Sequence, residues 1–133
     1  LQQAIAKSQQ SLGNMKNKVT IYHNPACGTS RKVLERLQQL DNVDLNIIEY
    51  LKTPPSREQI SKLLNDMNIS ARELIRDKQE IYTTLGLEDH KISDSDLIGF
   101  MAENPILINR PIVITNIGTR LCRPAEKVEE IIS

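Results

Sequence analysis

One cysteine, by its setting, carries most of the chemistry open to this chain. Cys27 lies in the run Tyr22-His23-Asn24-Pro25-Ala26-Cys27-Gly28-Thr29-Ser30-Arg31, between an apolar strand-like stretch and a helix-like one. A thiol at a helix start meets free backbone N–H groups and the positive end of the helix dipole, both of which favour an anion. The thiolate is the form of sulfur that attacks electrophiles. Core packing is the commoner fate of a free thiol, but Pro25, Gly28, Thr29 and Ser30 stand where a core cysteine would have apolar neighbours. The helix end is not sufficient. A thiol of pKa ~8.5 is only a few per cent ionised at neutral pH. Lowering it by two units takes about 2.7 kcal/mol, whereas a helix end supplies ~0.3–1. His23 at the strand end, Ser30, and the backbone amides of Gly28–Ser30 are the nearest sources of help. His23 reads equally well as an ordinary polar residue, and His90, in a polar acidic stretch, reads as surface.

Spacing excludes several other uses of this sulfur. A Cys-x-x-Cys redox pair needs cysteine where Ser30 stands, and a Cys-x5-Arg phosphatase loop needs arginine where Val33 stands. Two cysteines and two histidines, well scattered, give no zinc spacing. A lone thiol needs either a soluble thiol or a distant partner such as Cys122, which reads as packing within a strand. Arginines are the second signal. Arg110 precedes Pro111 and Arg123 precedes Pro124; each alone reads more readily as a surface arginine, but a proline holds its predecessor extended, which fixes the direction of the side chain. Guanidinium groups bind tetrahedral oxyanions bidentately and stay protonated. A thiolate among arginines suits a thiol reacting with an oxyanion.

The elements that must position these groups follow from periodicity. Val19–Tyr22 is a strand, and Ser30–Leu40 a helix carrying Val33, Leu34, Leu37 and Leu40 on one face. Leu45–Tyr50 is a second strand. Ser56 and Gln59 form a capping box before a stripe of Ile60, Leu63, Leu64 and Met67. Ser70 with Glu73 caps a short helix expected to run through Arg76, and Ser93 with Asp96 caps one through about Ala102, stopping before Pro105. Ile112–Thr115 and Thr119–Cys122 read as a hairpin through Asn116-Ile117-Gly118, and Pro124 opens a last helix bearing Val128, Ile131 and Ile132. The order β-α-β, helical block, β-β-α predicts an α/β fold of thioredoxin type. It has a four-stranded mixed sheet and a helical insertion between strands 2 and 3. In that topology the start of the third strand faces the Cys27 turn, which singles out Arg110.

The totals bound the rest. The 133 residues fit one domain, and 17 basic residues balance 17 acidic ones, so no global field argues for nucleic acid or an anionic membrane. No apolar run approaches the ~18 residues of a membrane span. Scattered cysteines without a disulfide framework point to a reducing, cytoplasmic setting. Residues 1–18 read as a polar, glutamine-rich leader before a domain at 19–133. Met15 is a candidate start, with residues 1–14 upstream or foreign.

Three motifs together resemble one known family. His-Asn-Pro-Ala-Cys-Gly-Thr-Ser-Arg (23–31), Leu-Ile-Asn-Arg-Pro-Ile-Val (107–113) and Gly-Thr-Arg-Leu-Cys-Arg-Pro (118–124) are similar to the glutaredoxin-dependent arsenate reductases. The likeness runs from Val19 to the C-terminus and takes in Tyr50-Leu51 and Pro54-Pro55-Ser56-Arg57. It implies a thioredoxin-like fold and reduction of arsenate to arsenite. It also implies Cys27 as nucleophile, His23 as a residue favouring its thiolate, and Arg76, Arg110 and Arg123 as the oxyanion site with Ser30 beside them. Pro111 matches a cis-proline, whereas composition alone would leave the trans default. Glutathione as reducing co-substrate and glutaredoxin as partner follow from the resemblance, with no bound cofactor and no metal. Two rival readings are a glutathione-dependent thiol oxidoreductase of the same fold and a non-catalytic regulator binding a partner such as RNA polymerase.

Overall fold

The computed structural model describes residues 17–132. The expected leader therefore lies outside the described residues except for Asn17 and Lys18, which already belong to the first strand, β1 (Asn17–His23). Both are exposed and pair with Val43 and Asp44. Their membership in the domain rests on backbone pairing, which leaves no hydrophobic signal.

β1 is the centre of the sheet. Its chain turns into α1 (Gly28–Gln38) and returns as β2 (Val43–Glu49), parallel to β1 in register from Asn17↔Val43 to His23↔Glu49. A helical crossover is what a parallel pair requires. β3 (Ile112–Ile114) pairs antiparallel on the other side of β1, and β4 (Thr119–Leu121) pairs antiparallel with β3. The sheet order is β2-β1-β3-β4. This is the thioredoxin-like arrangement expected from the element order.

Alternation along the strands divides the interior in two. Val19, Ile21 and Val113 face one side with Val33 and Leu37 of α1, Cys122, and Val128 and Ile131 of the C-terminal segment. Tyr22 and Ile112 face the other, against the insertion between β2 and β3. That insertion comprises α2 (Arg57–Met67), α3 (Ala71–Leu74), α4 (Glu80–Thr84) and α5 (Asp94–Glu103). The three expected caps form: Ser56, Ser70 and Ser93 accept from the backbone N–H of Gln59, Glu73 and Asp96, and Gln59 completes the capping box.

Three departures from expectation have local causes. α3 ends at Leu74 and not at Arg76, because Ile75 is drawn into an antiparallel bridge with Ile108. Arg76 N–H donates to Leu107 O at 2.7 Å and Asn109 N–H to Leu74 O at 3.0 Å. α4 is five residues long and buries none of them fully, so it leaves no stripe in the sequence. The C-terminal segment Ala125–Ile131 is a 3₁₀ helix. Val128 and Ile131, three residues apart, fit a three-residue turn as well as an α-helical one.

Candidate active site

The site forms where β1 ends and α1 begins, at the carboxyl edge of a parallel pair. Asn24 makes the turn: its Oδ1 accepts from Ala26 N–H and its carbonyl from Cys27 N–H, each at 3.0 Å. Cys27 is the N-cap residue of α1, extended at φ −95° and ψ 123°. Ser30, fully buried, joins the two elements. Its Oγ accepts from Asn24 N–H at 3.0 Å and lies 2.6 Å from His23 Nδ1. Arg31 braces the turn from outside by donating to Pro25 O at 2.8 Å.

Three guanidinium groups converge on the sulfur. Arg123 NH1 donates to Cys27 Sγ at 3.6 Å and to Arg110 O at 2.9 Å. Arg110 is buried, reaches Ile106 O at 3.4 Å, and has no partner for its Nε. Arg76, carried in by the Ile75–Ile108 bridge, also has an unpartnered Nε. Burial, and then the charges of Arg110 and Arg123, lower the pKa of Arg76, the mark of like charges held close. Among the described residues none of the three forms an ion pair. Buried donors with nothing to bind, in a cluster of one sign, make a receptor for an anion. The peptide bonds Arg110-Pro111 and Arg123-Pro124 are both cis; only the first was expected.

The thiol is tuned by these neighbours. Burial pushes the Cys27 pKa up, but the Ser30 amide, the Arg110 and Arg123 side chains and the Arg110 charge outweigh it and bring it from 9.0 to about 7. The Ser30 N–H favours the thiolate without closing a full cap hydrogen bond from the side chain. Cys122 is the opposite case. It is fully buried, and burial pushes its thiol up to about 12, which fits packing.

His23 and Ser30 sit one step back from the chemistry. Burial lowers the His23 pKa, with Glu49 opposing and Arg31 adding to the effect, and the ring's hydrogen-bond partner is Ser30. Ser30, expected beside the substrate, has its hydroxyl committed inside the protein, and only its backbone N–H faces Cys27. His90 is exposed. Three site residues were missed: Asn24, Tyr50 and Asn109. Asn109 Oδ1 accepts from Arg110 N–H at 3.1 Å and Arg76 NH1 at 3.5 Å, bridging two arginines. The available signal was position, since all three lie in the motifs quoted above or at the carboxyl end of β2. No group of His, Cys, Asp and Glu among the described residues could hold a metal, and none of the described helices is long and apolar enough to cross a membrane.

Residues 22–131, which span every one of these side chains, match the model of the ArsC family. The chain belongs to the ArsC family. Over 114 residues it is 55% identical to the arsenate reductases of Escherichia coli K12 and Acidiphilium multivorum, covering 86% of this chain and 80% of each relative. The solved arsenate reductase from Vibrio cholerae matches at 41% identity with a TM-score of 0.82, covering 88% of this chain and 99% of that structure. The Cys27 turn and the three arginines thus form the candidate centre of an ArsC-family fold.

Proposed function

We propose that this protein is an arsenate reductase that works through a covalent Cys27–arsenate intermediate with glutathione and glutaredoxin as electron donors. The observation that carries the reading is a Cys27 sulfur held by Arg123 in a cluster with Arg110 and Arg76, none of the three arginines ion-paired among the described residues and two of them with unused buried N–H groups.

Arg76, Arg110 and Arg123 hold the oxyanion, and their fixed charges oppose the negative charge that gathers on oxygen as sulfur attacks. The Cys27 thiolate forms a sulfur–arsenic bond and one arsenic-bound oxygen leaves as water, its protons coming from solvent. Arsenic is not yet reduced. Glutathione displaces a second oxygen in the same way. The two sulfurs then join as a disulfide and leave an electron pair on arsenic, which takes back one water from solvent and departs as arsenite. Glutaredoxin takes the glutathione from the disulfide and restores Cys27. Overall, arsenate and two thiols give arsenite, a disulfide and water. The electrons come from thiols, so the scheme uses no bound cofactor.

Two features support an outside thiol. Ser30 occupies the place of a resolving cysteine, and Cys122 is packed in the core with its thiol pushed up to about 12. The free thiolate also suits a reducing, cytoplasmic setting. Purified protein supplied with arsenate, glutathione and glutaredoxin should release arsenite, and Cys27→Ser should release none; normal turnover by that variant refutes the proposal.

A further inference from the structure

Tyr50 follows directly on β2 and is 0% exposed. Its ring belongs to the core packed against the insertion, and packing is the ordinary reason for a buried aromatic residue. A phenylalanine would pack the same way. The hydroxyl needs its own explanation, because a buried polar atom is costly unless bonded.

That hydroxyl donates to Ile108 O at 3.4 Å. Burial raises the pKa of this phenol, and the groups that act on it besides are Arg110, the Asn24 side chain, Cys27 and Arg76, all of the site. The oxygen therefore sits between two segments of different origin. One is the turn whose Asn24 orders Ala26, Cys27 and Ser30. The other is the lead-in to β3, where Ile108 stands two residues before Arg110. A second polar link joins the same segments, through Arg123 to Cys27 Sγ and Arg110 O. Arg123 must also serve the oxyanion, so its link changes during the reaction. The Tyr50 link lies below the site and out of solvent.

We propose that Tyr50 is a positioning residue whose hydroxyl sets the spacing between Cys27 and Arg110, and through it the oxyanion affinity of the site. The proposal rests on the oxyanion-binding reading above, but its first test needs no substrate. Arg110 helps to lower the Cys27 pKa, so letting the two drift apart raises it.

The experiment compares wild type, Tyr50→Phe and Tyr22→Phe. Tyr22 is the other core phenol on the same face of the sheet, and burial alone raises its pKa. The pH dependence of Cys27 alkylation by iodoacetamide is read first, then KM and kcat for arsenate with glutathione and glutaredoxin. In Tyr50→Phe the alkylation midpoint should rise by about half a unit. Its KM should rise about fivefold, the loss of one buried hydrogen bond expressed as affinity, with kcat within about twofold. Tyr22→Phe should leave both readouts unchanged. An unmoved midpoint in Tyr50→Phe overturns the proposal, even if that variant melts earlier. An equal rise in Tyr22→Phe overturns it too. If arsenate fails to protect wild-type Cys27 from alkylation, the oxyanion reading fails, and the midpoint alone still decides whether Tyr50 sets the spacing.

Discussion

Removing the Arg110 side chain tests the electrostatics of the site most directly. Arg110 acts on the Cys27 thiol twice, through its side-chain hydrogen bond and through its charge. In Arg110→Ala the burial that raises the pKa remains, opposed by the Ser30 amide and Arg123. Arg123 stays anchored, because it donates to the backbone oxygen of residue 110. One charge-assisted hydrogen bond contributes about 1.5–3 kcal/mol, and one pKa unit corresponds to about 1.4 kcal/mol. The thiol should therefore rise from about 7 by about one to two units. At pH 7 the thiolate fraction then falls about tenfold, and it recovers as pH is raised, because the thiolate is the deprotonated form. Loss of the same guanidinium from the oxyanion should raise KM for arsenate by about 10- to 100-fold. The assay pairs the pH profile of alkylation with steady-state kinetics at pH 7 and at pH 9. Alkaline pH should restore part of kcat but not KM. Arg110→Lys should keep the thiol near its wild-type pKa and still bind arsenate poorly, since an ammonium lacks the planar fork. An alkylation midpoint that stays near 7 in Arg110→Ala, with KM within about twofold of wild type, would mean that Arg110 neither tunes the sulfur nor binds the anion. Deglutathionylation that survives Arg110→Ala, in a protein whose wild type turns over no arsenate, would favour the rival thiol oxidoreductase.

Asn109→Asp places a carboxylate between Arg76 and Arg110, whose N–H groups Asn109 now accepts; arsenate should no longer protect Cys27 from alkylation, measured by mass spectrometry. Ser30→Ala strips a buried partner from His23 and from Asn24 N–H, and urea denaturation should show a loss of about 1–3 kcal/mol. Cys122→Ala removes a fully buried sulfur that no step uses; arsenite release should stay within about twofold of wild type while stability falls by about 1 kcal/mol.

Much of this molecule is legible along the chain because its causes are local. Each of the caps at Ser56, Ser70 and Ser93 is a hydrogen bond across three residues. The Asn24–Cys27 turn closes within four residues, and the order of the strands follows from where apolar periodicity changes. The residue types around Cys27 announce a thiolate, and Arg-Pro pairs announce aimed guanidinium groups. What only the tertiary structure decided lies in contacts between distant segments. Arg76 enters the site because Ile75 pairs with Ile108, and the short helix gives way to that bridge. His23 is bonded to Ser30, a partner seven residues on that folding brings to 2.6 Å from its Nδ1. The Tyr50 hydroxyl meets Ile108 O, more than fifty residues away in the chain. Periodicity and caps report the energetics of neighbouring residues. The pKa of one thiol depends on a backbone N–H from α1 and on guanidinium groups from both sides of the hairpin, and their distances exist only once the chain has folded.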